Sequence, residues 1–157
     1  MIVEAHQPFR LPAPEDPAAL AFVRDPTRAL AKVRFLKTLE VQGSEVRGVL
    51  AVQLPMLGEV TLPFFSVLEH TAAGARLLPQ PLDNERAWLE VEGEAGLEGT
   101  ELDYRFTFRA HLDTPSAEKW GAVAFEKMVQ AAASRTLAKV ARELPAAVAA
   151  ALAENQP

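Results

Sequence analysis

The chain has 157 residues, 49% of them hydrophobic and 24% charged, which fits one folded domain and excludes the fibrous and disordered classes. It contains no cysteine, and that rules out disulfide frameworks, thiolate metal sites, iron–sulfur clusters and cysteine nucleophiles together. The net charge of −5 is local: residues 81–115 hold nine acidic and three basic side chains, and so acidic a segment argues against nucleic-acid binding, which depends on neutralising phosphates.

Met1–Arg10 carries Glu4 and lacks the basic start and apolar run of a secretion signal, and no run approaches the roughly 18 apolar residues of a membrane span. The expected location is the cytoplasm. Ile2, Val3, Ala5 and Phe9, before Pro12 and Pro14, predict a first strand that ends at a turn. Residues 15–23 predict a short helix, and Asp25-Pro26 predicts a second, with Asp as its cap and Pro at its first position. From Lys32 the period changes to two, with Val33, Phe35, Leu39 and Val41 on one face before Gly43-Ser44 turns the chain. Val46, Leu50, Val52 and Leu54 predict a third strand, and Val60, Leu62, Phe64, Ser66 and Leu68 a fourth. A short fifth strand is expected around 75–78 and a sixth over 85–93. The seventh is the plainest. Leu102, Tyr104, Phe106, Phe108, Ala110 and Leu112 alternate with Asp103, Arg105, Thr107, Arg109 and His111, so its inner face is aromatic.

Thr114-Pro115 predicts the start of a closing helix that runs about 30 residues to Pro145. Ala122, Phe125, Val129, Ala132, Ala133, Thr136, Val140 and Leu144 form its apolar stripe, opposite Lys119, Lys127, Arg135 and Arg142. The expected organisation is one domain over 1–145, followed by an Ala-rich helical extension or tail over 146–157, kinked or separate because of Pro145.

Strand, two short helices, six strands and a long helix is the order of the α+β helix-grip fold, a curved antiparallel sheet around a C-terminal helix. The phrase Phe22-Val23-Arg24-Asp25-Pro26, the strands over Val46–Leu68 and Leu102–Phe108, and the amphipathic helix after them carry a family resemblance. Over residues 1–145 the chain resembles the START/Bet v 1-like (SRPBCC) superfamily. Within it the chain looks most like the branch typified by the G-type subunit of bacterial carbon monoxide dehydrogenase, and like a small uncharacterised bacterial family. The resemblance implies a cavity between sheet and helix that takes lipids, sterols, polyketides or other apolar molecules, with a few branches acting as cyclases or hydrolases. It transfers no functional residue.

The residues themselves leave two readings of the interior open, a cavity wall or a filled core. The lining expected for a cavity is Phe35, Leu50, Val52, Leu62, Phe64, Tyr104, Phe106 and Phe108, facing Phe125, Met128, Val129 and the small Ala132 of the helix. Tyr104 is its polar group, since a buried phenol needs a partner. His6, His70 and His111 lack metal-ligand spacing, so no metal or other cofactor is expected. Ser66 with Glu69-His70 has no nucleophile elbow, and Glu90, Glu92 and Glu94 read as one solvated strand face. Arg24, Arg28 and Lys32 would line one face of a continuous helix, as a dock for an anionic headgroup or as a solvated surface. With no catalytic motif, the expectation is a non-enzymatic binder of a small apolar or amphipathic molecule or lipid. The alternatives are an adaptor with a filled core acting through its surface, and an enzyme of cyclase or hydrolase type.

Overall fold

A computed structural model describes residues 1–55, 57–113 and 122–154 of the chain. Strand β1 (Ile2–Pro12) leads into two short helices, α1 (Asp16–Val23) and α2 (Pro26–Ala29). Six strands follow, β2 (Leu36–Gln42), β3 (Glu45–Leu54), β4 (Gly58–His70), β5 (Gly74–Gln80), β6 (Ala87–Glu98) and β7 (Glu101–Leu112), and then helix α3 (Ala122–Glu154). The sheet order is β1-β7-β6-β5-β4-β3-β2, and every neighbouring pair is antiparallel. Helix α3 packs against both β1 and β3, which lie towards opposite edges of the sheet, so the sheet curls around it. This is the helix-grip architecture. It buries the helix stripe without a second sheet.

Alternation positions the interior. On β7 the side chains of Leu102, Tyr104, Phe106, Phe108, Ala110 and Leu112 are buried, whereas Arg105 is exposed and Arg109 half-buried. The Asp25 side chain accepts from the Arg28 backbone N–H at 3.3 Å with Pro26 opening α2, as the sequence predicts.

Three expectations are corrected. Strand β2 starts at Leu36, not near Lys32, because Val33 N–H bonds to the Leu30 carbonyl and Leu36 N–H to the Val33 carbonyl, turn bonds that take up the Val33 backbone. Helix α3 does not stop at Pro145 but runs through it to Glu154, and Val148, Ala151 and Leu152 belong to the same core as the sheet. A proline inside a helix costs about 3 kcal/mol, which burial of Val148 and Leu152 at about 1.5–3 kcal/mol each offsets. Third, the buried stripe of α3 holds Val129, Ala132, Ala133, Leu137, Val140, Ala141 and Leu144, while Phe125 and Met128, expected to face the sheet, are 41% and 56% exposed. The expected helix start at Thr114-Pro115 lies outside the described residues.

Candidate functional site

The floor of the interior is a row of flat rings. Tyr104 stacks on Phe9 of β1 at 5.0 Å between centroids, Tyr104 and Phe106 are 6.1 Å apart, and Phe106 and Phe108 5.9 Å. Glycines opposite the rings make room for them. Gly93 is the register partner of Phe106, and a Cβ there would meet its ring at 3.1 Å; Gly48 is the partner of Phe64, and a Cβ there would lie 2.6 Å from that ring. Rings that lie down over glycines leave the space above them to whatever covers the sheet.

Over Tyr104 and Phe106 the cover is α1 and α2, and a hollow of about 40 Å³ remains there. Its other walls include Val23, Ala29, Leu30, Leu77 and Ala95. Tyr104 is 3% exposed, and its hydroxyl is buried with no protein hydrogen-bond partner. Burial pushes its pKa well above the ordinary phenol value, so the group is neutral and able to donate. Arg24 closes one side of this region by donating to the Thr71 carbonyl at 2.7 Å and the Gly74 carbonyl at 3.0 Å, which ties the α1–α2 corner to the β4–β5 turn.

Between the sheet and α3, where the cavity was expected, the described residues leave a gap of about 10 Å³, lined by Val3, Leu62, Ala133 and Leu137 among others. Of the expected lining, Tyr104 and Phe106 border the larger hollow, and Val52 and Leu62 the smaller. Leu50, Phe64, Phe108, Val129 and Ala132 are buried but border neither. Phe35 is half-buried in the loop before β2, where its carbonyl accepts from Ala51 N–H at 2.9 Å. Phe125 and Met128 point away. The α1–α2 wall was missed, although Asp25-Pro26 fixes where α2 begins and so brings Ala29 and Leu30 to the sheet.

The polar candidates resolve into structural roles. Ser66 is buried and donates to the Val91 carbonyl at 2.7 Å, so its hydroxyl is occupied. Glu92 meets Arg109 at 3.1 Å, and Glu90 meets His111, which stacks on Trp88 at 4.0 Å. Arg109 also approaches Glu4 at 3.6 Å, and His6 approaches Glu4 at 2.9 Å. Apart from His6–Glu4, which lies within β1, these are cross-strand pairs on the outer face. Arg24, Arg28 and Lys32 do not share a face: Arg24 grips carbonyls, Arg28 lies 5.9 Å over the Phe22 ring, and Lys32 pairs with Glu154 at 2.6 Å. Among the described residues, no group of three His, Asp or Glu is placed to hold a metal. Two depressions of about 260 Å³ each also mark the surface, both lined by Glu94 and Arg105 with other charged groups, and neither contains an unpartnered buried polar atom.

Residues 8–142 match a family described as protein of unknown function (DUF3809). No functionally curated protein is matched by the sequence. Among solved structures, the Thermus thermophilus protein TTHA0849 gives a TM-score of 0.58 at 17% identity, over 98% of this chain and 99% of that one. The Zhui aromatase/cyclase from a Streptomyces species gives 0.54 at 15% identity, over 99% and 97% of the two chains. The di-domain ARO/CYC StfQ from the steffimycin biosynthetic pathway gives 0.53 at 11% identity, over 98% of this chain and 52% of that one. At these identities the likeness is one of fold.

Proposed function

We propose that this chain, which belongs to the DUF3809 family of unknown function, is a cytoplasmic, non-enzymatic binding protein for a small apolar or amphipathic molecule, held between the α1–α2 corner and β5–β7. The observation that carries the reading is the hollow of about 40 Å³ under the α1–α2 corner, whose lining includes Tyr104, a residue with a buried hydroxyl that has no protein partner. A buried, unsatisfied hydroxyl costs about 1–3 kcal/mol, and an occupant that accepts from it recovers that cost. At about 40 Å³ the hollow is far below the roughly 300–1,000 Å³ of sites for drug-sized ligands, so a larger occupant must displace cover. Helix α2, four residues long, is the shorter of the two helices in that cover.

A neutral solvatochromic dye, Nile red, tests this. The parent protein is expected to take it up saturably, and Ala95→Val, which adds two methyl groups at the wall of the hollow, is expected to keep its melting temperature and lose the uptake. Equal uptake by both proteins would move the site elsewhere. A second reading, a protein acting through its surface, is favoured by the exposed Val123, Phe125 and Met128 at the start of α3.

A further inference from the structure

Strands β5 and β6 separate inside the sheet. Their ladder holds four register pairs, Gly74–Leu77 with Gly93–Gly96, and ends at Leu77 and Gly93. Pro79 and Pro81, just beyond, bring no N–H to extend it. From there β5 continues on β4 as far as Gln80, and β6 continues on β7 back to Ala87, which leaves a fork between them. Across the fork β4 reaches β6 directly, where the Ser66 hydroxyl donates to the Val91 carbonyl at 2.7 Å. Two spaces meet at this point. Arg76, Leu77, Gly93 and Glu94 line both the hollow of about 40 Å³ and the depression of about 260 Å³ that also touches Leu78 and Glu92. On β7 the hollow is bordered by Tyr104 and Phe106 and the depression by Arg105 and Thr107, so the two lie on opposite faces of one strand layer. Gly93 adds no side chain to the partition.

We infer that this fork is the way into the hollow, the occupant passing from the outer depression between β5 and β6 at the Leu77–Gly93 pair; this rests on the binding reading above. Opening there releases the end of a four-pair ladder, while β5 keeps its pairing with β4 and β6 its pairing with β7. Lifting the α1–α2 corner to admit a molecule costs more. It breaks both Arg24 bonds, to Thr71 and Gly74, and carries Phe22 and Val23, 1% and 6% exposed, out of the core. A ladder end frays before a packed corner lifts. On this route the cover yields to an occupant already inside. Ser66 is then a positioning residue, because its bond to Val91, two residues past Gly93, limits how far β6 swings from β4.

The chain has no cysteine, so one engineered pair can close the fork without competing thiols. Arg76 and Glu94 are register partners beside its end, and such partners in an antiparallel ladder stand about 4.5–5.5 Å apart between Cα atoms, within disulfide range. The full chain carrying Arg76→Cys and Glu94→Cys is mixed with Nile red by stopped flow, oxidised and then reduced. Oxidation is expected to slow association and dissociation together, at least about tenfold, with Kd kept, and reduction to restore both rates. Ser66→Ala, a second variant that does not depend on the disulfide, is expected to quicken both rates about fivefold relative to the parent, the effect of one lost hydrogen bond. Equal rates in the two redox states, or unchanged rates in Ser66→Ala, would overturn the fork as the entrance while leaving the binding reading intact. No Nile red uptake by the parent would overturn the binding reading itself.

Discussion

Tyr104→Phe is expected to stabilise the free protein. The ring stacks on Phe9 at 5.0 Å and lies 6.1 Å from Phe106, and phenylalanine keeps both contacts. The substitution removes only a buried hydroxyl with no protein partner, whose desolvation costs about 1–3 kcal/mol. Losing one oxygen, roughly 15 Å³, gives back about 0.4 kcal/mol as cavity. The net gain is about 1–2 kcal/mol, or a rise of about 2–6 °C in Tm for a chain of this length. Urea denaturation and thermal melting at neutral pH measure it. A loss of 1 kcal/mol or more would show that the hydroxyl is satisfied in the free protein. The pH dependence follows from the same burial. Because the folded pKa is raised, the contribution is fully present below about pH 10 and is lost above it, as the unfolded phenol ionises and the folded one does not. The advantage of Tyr104→Phe therefore grows between pH 10 and 11, by up to about 1.4 kcal/mol per pH unit. As the chain has a single tyrosine, tyrosinate absorbance reports this group alone.

Val129→Asp places a charge at a position 4% exposed on α3 and is expected to unfold the domain at room temperature; an unchanged melt would contradict the placement of α3. Phe125→Ala and Met128→Ala are expected to change stability by less than about 0.5 kcal/mol, whereas Phe106→Ala costs about 3–5 kcal/mol; similar losses at all three would mean that the start of α3 is packed inward. Gly48→Ala sets a Cβ 2.6 Å from the Phe64 ring and 2.9 Å from the Thr38 carbonyl and is expected to cost about 1–3 kcal/mol. Adding Phe64→Leu should recover part of that loss, and a purely additive double variant would argue against the ring contact.

The sheet was legible because its signals are local. Period-two alternation in Leu102–Leu112 assigned the inner face of β7 residue by residue, and Asp25-Pro26 marked α2. The start of β2 was not legible, since Val33 and Phe35 keep the alternation while the Val33 backbone is spent in turn bonds. Pro145 misled for a related reason: local chemistry says stop, and only the burial of Val148 and Leu152 against the rest of the core says continue. Phe125 and Val129 are four residues apart on one helix face, yet one is exposed and one buried. Which turns of a helix lie over the sheet depends on where the sheet ends, and helical periodicity does not carry that. The hollow shifted for the same reason. Sequence named its aromatic floor, Tyr104 and Phe106, but assigned the cover to α3, because it cannot say which helix lies above which ring.

The central claim is a location, and backbone amide chemical shifts of the isotope-labelled full chain, followed as acetophenone is added, test it most directly. The account predicts saturable shifts concentrated at Val23–Leu30, Ala75–Leu77 and Ala95, around Tyr104. Shifts confined to Val123–Met128, or none at millimolar probe, would contradict it.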